Sequence, residues 1–139
     1  MIILSVDYGD VRTGIAVCDK FEMLASPVTV ITQRNAEILL NEIKEIAIKQ
    51  KAELIVVGLP KNMDSSLGNR AEKCTEFAKM LGEISGIETV MWDERLTTVS
   101  AHNALNNTNT RGKKRKSVVD QVAAVFILQD YLDYRRLNK

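Results

Sequence analysis

Residues 54–59, Leu-Ile-Val-Val-Gly-Leu, form an unbroken apolar run that stops at Pro60. The run is too short for an ordinary helix, and it offers neither face of a strand to water. It therefore predicts a strand covered on both faces, which requires helices packed above and below a sheet. The flanking segments have the helical period. Leu39, Ile43, Ile46 and Ala47 recur at i, i+4, i+7 and i+8 within 35–50, and Cys74, Phe77, Ala78 and Leu81 share one face of 69–84.

The remaining segments complete the layout. Residues 2–7 read as a buried strand ending at the turn Tyr8-Gly9-Asp10, and Thr13–Cys18 as its hairpin partner. Residues 23–31 are a third strand, which Pro27 moves to an edge or a bulge. Glu88–Trp92 is a further strand, 98–106 a short helix, 107–116 a polar and basic loop, and 118–132 a helix apolar on almost every side that packs on the sheet. The order β-β-β-α-β-α-β-α-α predicts an α/β domain, with three antiparallel strands and then parallel βαβ units in one mixed five-stranded sheet flanked by helices. The chain has 139 residues, no internal repeat and no linker, so a single domain is expected over 1–139. Cys18, Cys74 and the single His102 are too few for a disulfide framework or an ordinary zinc site, and the cysteines read as small buried hydrophobes. Phe77, Trp92 and Phe126 sit at core-facing periods, and His102 reads as solvated. No apolar run is long enough to span a membrane, and an acid rather than a base stands near the first apolar stretch, so a cytoplasmic protein without membrane contact is expected.

Charge is unevenly spread. The net charge is +1, yet 111–116, Arg-Gly-Lys-Lys-Arg-Lys, holds five positive charges, leaving −4 elsewhere. A dense basic segment on an acidic body suits either a solvated loop or a contact with polyanion.

Three acids occupy unusual positions. Asp7 ends an apolar strand, Glu94 follows the end of another, and Asp120 lies at the start of an apolar helix. Each has a plain reading. Asp7 suits an Asx turn, Glu94 an ion pair with Arg95 or Arg12, and Asp120 the N-terminal dipole of a helix that begins at Ser117. The alternative is convergence, in which mutual repulsion is relieved by a divalent cation. Carboxylate oxygens without His or Cys favour Mg²⁺ or Mn²⁺ over zinc.

The motif Asp7-Tyr-Gly-Asp-Val-Arg12-Thr-Gly14-Ile-Ala16 resembles the opening of the YqgF/RuvX family of ribonuclease H-like nucleases. Val57-Gly58-Leu59-Pro60, Asn62-Met63-Asp64, Asp93-Glu94-Arg95-Leu96-Thr97-Thr98, Asp120-Gln-Val-Ala123-Ala124 and Ile127–Leu132 continue the resemblance in order along the chain. Ser65 departs from it, standing where the family usually has Gly. The resemblance implies a ribonuclease H-like fold and an acidic triad of Asp7, Glu94 and Asp120 that holds two Mg²⁺ or Mn²⁺ ions for phosphodiester hydrolysis. Beside that centre, Arg12, Arg95, Lys113, Lys114, Arg115 and Lys116 are candidates for phosphate contact; for the two arginines a structural ion pair is the other reading. Gly9 and Gly14 permit either close backbone approach or ordinary hairpin geometry.

The resemblance implies two substrates. The first is structured RNA, cut in 5′-end maturation of pre-16S rRNA during ribosome biogenesis. The second is branched DNA, cut by a Holliday junction resolvase, which requires a homodimer where the RNA role admits a monomer. Two further readings are a non-catalytic nucleic-acid-binding module and one lobe of a sugar-kinase or actin-like ATPase. The last needs two such domains around its nucleotide, and the chain has no Gly-x-x-x-x-Gly-Lys-Ser/Thr.

Overall fold

The structure is a computed structural model that describes residues 1–59, 69–93 and 112–137. The strands are β1 (Ile3–Asp7), β2 (Arg12–Cys18), β3 (Ala25–Thr32), β4 (Leu54–Leu59) and β5 (Glu88–Asp93). The helices are α1 (Ala36–Lys49), α2 (Asn69–Ser85) and α3 (Gly112–Leu137). The sheet order is β3-β2-β1-β4-β5, with β1–β2 and β2–β3 antiparallel and β1–β4 and β4–β5 parallel. This is the mixed sheet that the element order predicts. The apolar run of β4 is buried from Leu54 to Val57, and β4 lies between β1 and β5.

Pleating divides the core into two layers. Leu4, Val6, Ile15, Ile55 and Val57 pack with Leu39, Ile43, Phe77 and Leu81 under α1 and α2. Ile3, Ala16, Cys18, Leu54 and Val56 pack on the other face with Ala124, Ile127, Leu128 and Leu132 of α3. Cys18 and Cys74 are buried and not joined in a disulfide, and burial pushes the Cys18 thiol up.

Local signals set the boundaries. The Asn35 side chain accepts from the Ile38 amide at 3.0 Å and starts α1. The helix ends with Lys51 N–H on Ile48 O and Ala52 N–H on Ala47 O, the Schellman pattern, and Lys51 takes φ 61° where glycine is usual. Pro27 stands on the outer strand beside a bulge: Ile15 faces Thr29 and Ala16 faces Pro27, so Val28 is the extra residue.

Two expectations for the third helix are corrected. The basic segment 113–116 is helix, not loop, because α3 begins at Gly112. Lys and Arg are good helix formers, and a charged run without Pro need not break a helix. Ser117 is therefore not the helix start, and Asp120 lies more than two turns inside α3, beyond the reach of the N-terminal dipole. The helix expected over 98–106 lies outside the described residues, as do His102 and the Ser65 departure.

A half-buried ionic knot ties α3 to the start of β1. Glu22 accepts from Arg135 Nε at 2.7 Å and from the Met1 ammonium at 3.1 Å. The Arg135 hydrogen bond, helped by the ammonium, holds the Glu22 carboxyl below its usual range. A depressed native pKa contributes stability above the ordinary Glu value of ~4.3 and loses it as pH falls through the native value. Glu22→Gln is expected to cost about 1–3 kcal/mol at pH 7, and the gap to wild type should narrow below the ordinary Glu value and close as pH falls through the lowered native one. Urea melts at pH 7 and in acid check this; a gap that does not narrow in acid contradicts it.

Candidate functional site

Asp7 is the last paired residue of β1, the middle strand of the sheet. Strand alternation puts it on the same face as Ile3 and Ser5, the face covered by α3. Its neighbours across the ladder are unusual. Asp7 pairs with Gly14 of β2, and one step beyond the Val6–Val57 pair it stands level with Gly58 of β4, which pairs with Trp92 of β5. Both flanking positions lack a side chain, so neither β2 nor β4 places one beside Asp7 on that face.

The turn that follows is held on the opposite face, under α2. The Gly9 amide donates to Thr13 Oγ1 at 3.2 Å, and the Tyr8 ring stacks on Phe77 of α2 with centroids 4.0 Å apart. A Cβ on Gly9 would lie 1.9 Å from the Arg12 carbonyl oxygen. Gly9 thus serves hairpin geometry, the plainer of its two readings. Gly9→Ala is expected to cost about 1–3 kcal/mol, seen as a lower urea midpoint with an unchanged slope. Wild-type stability in that variant would contradict the packing.

Helix α3 crosses this face antiparallel to β1. Ser5 Oγ donates to Ala124 O at 2.7 Å, while Arg135 reaches Glu22 near the first residue of the chain. Moving from Ser5 to Asp7 advances ~6.6 Å along the strand, and moving from Ala124 back to residue 120 advances ~6.0 Å along the helix. The backbone at 120 is therefore roughly level with Asp7. Residues 113–116 lie one to two turns further, beyond the end of β1.

The candidate residues divide accordingly. Asp7 and the backbone of Asp120 share one face and one end of the sheet, and Arg12, at the start of β2, is two residues before Gly14 on that face. Lys113, Lys114, Arg115 and Lys116 occupy the N-terminal turns of α3 at the same end. Glu94 and Arg95 lie outside the described residues, directly after Asp93, the last residue of β5. Among the described residues no three His, Cys, Asp or Glu side chains cluster as metal ligands. The sequence reading missed Gly58 as a neighbour of Asp7, since only sheet register brings them level. Trp92 packs edge-on to Tyr131 at 5.6 Å and against Tyr134 at 5.3 Å, joining β5 to α3.

Comparison with known proteins gives a consistent picture. A family model described as "RuvX: Holliday junction resolvase" matches residues 1–134. A protein of Agathobacter rectalis named "Putative pre-16S rRNA nuclease" is 43% identical over 137 residues, covering 96% of each chain. A protein of the same name from Halothermothrix orenii is 46% identical over 135 residues, covering 97% of this chain and 96% of its own. Among solved structures, T. thermophilus RuvC in complex with a Holliday junction substrate superposes with a TM-score of 0.65 at 13% identity, over 100% of this chain and 97% of that one. The fold is ribonuclease H-like.

Proposed function

The chain belongs to the RuvX family, and from that premise we propose that it is a metal-dependent nuclease that hydrolyses RNA phosphodiester bonds in the 5′-end maturation of pre-16S rRNA. The observation that carries this is the row Gly14–Asp7–Gly58, a carboxylate at the end of the middle strand with no side chain on either flank. A turn residue would not need that gap, whereas a phosphodiester backbone approaching a carboxylate does. The relatives' shared name favours RNA over branched DNA.

The donor set fits Mg²⁺ or Mn²⁺. Asp7, Glu94 and Asp120 offer hard carboxylate oxygens, with neither His nor Cys among them. When bound, such ions supply a nucleophilic hydroxide and stabilise the leaving oxygen. The chain supplies the rest. Asp7, Glu94 and Asp120 would hold the ions, with Asp7 the ligand shared between them. The two glycines admit the scissile phosphate. The first turns of α3 bring Lys113, Lys114, Arg115 and Lys116 together with the positive end of the helix dipole, a combination that holds phosphate without reading sequence. Arg12 and Arg95 contact the backbone beside the acids. No described helix is long and apolar enough to cross a membrane. We place the enzyme with its rRNA substrate in the cytoplasm, acting as a monomer or homodimer.

Cleavage of matched single-stranded RNA, structured RNA and four-way DNA junctions, with Mg²⁺, Mn²⁺ or a chelator, tests the reading. Structured RNA should be cut with either ion and remain intact in chelator. Faster cleavage of the four-way junction, by a dimer, would replace the RNA role with a resolvase.

A further inference from the structure

On the face of the sheet opposite α3, a groove runs between α2 and β5. It holds two hollows of about 570 Å³ and 280 Å³ that share Thr75. Ala78 and Gly82 of α2 keep its floor low, with Ile87, Thr89 and Met91 along the β5 side. Thr75 and Thr89 already donate to Ala71 O and Ile87 O, at 2.8 and 3.2 Å, so neither hydroxyl proton is left seeking a ligand. The rim is acidic. Glu72, Glu76, Glu83 and Glu88 are exposed along it, and among the described residues Lys79 is the one cation lining either hollow.

Among the described residues, β5 is bonded on one side only, to β4. The outer side of a parallel strand presents alternate N–H and C=O groups, which a further strand can pair. The acidic rim repels phosphate and attracts a cationic chain. We propose that an extended, Lys- or Arg-rich segment of a partner protein adds to β5 as a further strand. On the α2 side of the added strand an apolar side chain enters the hollow over Ala78 and Gly82, and the cations two residues before and after it, on the same side, face Glu76 and Glu83. From Gly86 towards Ala71 the groove follows α2 over roughly 25 Å to the end of the sheet where Asp7 lies. A segment docked here would tether its protein beside that end. The occupancy does not depend on any catalytic role of Asp7.

The test uses the full chain and a fluorescent Lys/Val peptide that carries Thr at every second position and Lys, Val, Lys at the positions between, so that Lys and Val share one face. The wild type should bind it, bind a Glu/Val counterpart far less, and slow hydrogen exchange across Glu88–Asp93 when the Lys/Val peptide is added. Reversing Glu76, Glu83 and Glu88 to Lys should weaken binding about tenfold or more, whereas Glu45→Lys on α1 should not change it. N-methylation of alternate peptide amides should also remove binding, since it blocks strand pairing. Equal affinity for both peptides, insensitivity to the triple reversal, or protection confined to other segments would overturn the proposal. So would self-association of the chain through this groove.

Discussion

Asp7→Asn is expected to leave the metal-free protein at least as stable as the wild type while lowering metal-dependent cleavage by ~10³-fold or more, about 4 kcal/mol of transition-state stabilisation. Asn matches Asp in size and keeps an acceptor oxygen. Asp7 is already a ladder residue opposite Gly14, so the backbone of β1 need not move. What disappears is the charge that would hold the cations and, in the proposed triad, would repel Glu94 and Asp120. A residue serving only the turn predicts the inverse, a clear loss of stability with a modest loss of activity. Thermal melts in chelator beside cleavage assays on the same preparation distinguish the two. Nucleic-acid binding through the basic turns of α3 should largely survive.

Replacing Lys113, Lys114, Arg115 and Lys116 together by Ala should have the second-largest effect, on binding. Each lost phosphate contact removes ~0.7–0.9 from the slope of log affinity against log salt, so four remove about 3. At moderate ionic strength the affinity should fall by ~10²–10³. The helical placement makes the test cleaner than a loop would, because Ala is at least as good a helix former as Lys or Arg. Helix content should therefore hold or rise. An unchanged slope would reduce the segment to a solvated basic turn.

The sheet was legible in the sequence because its strands are short apolar runs bounded by turn residues, and the buried faces of α1 and α2 follow the 3.6-residue period. The start of α3 was not legible. Five positive charges within 111–116 read as solvated loop, yet backbone helicity depends on propensity, and nothing in 113–116 breaks it. The candidate site was legible only as separate acids. Asp7, Glu94 and Asp120 are far apart along the chain, and periodicity within an element says nothing about the register between elements. Gly58 shows this limit: inside the β4 run it reads as one small residue, and only the β1–β4 and β4–β5 pairings set it beside Asp7. The antiparallel crossing of α3, fixed by Ser5 on Ala124 at one point and Glu22 on Arg135 at another, is equally invisible to local pattern.

Anomalous diffraction from crystals soaked in Mn²⁺ decides whether the Asp7 end of the sheet holds divalent metal. The expected result is manganese bound to the Asp7 carboxylate, with Glu94 and Asp120 completing the ligands, and its loss in Asp7→Asn crystals soaked in the same way. Manganese absent from Asp7 in the wild type, or retained there with full occupancy in Asp7→Asn, would contradict the account.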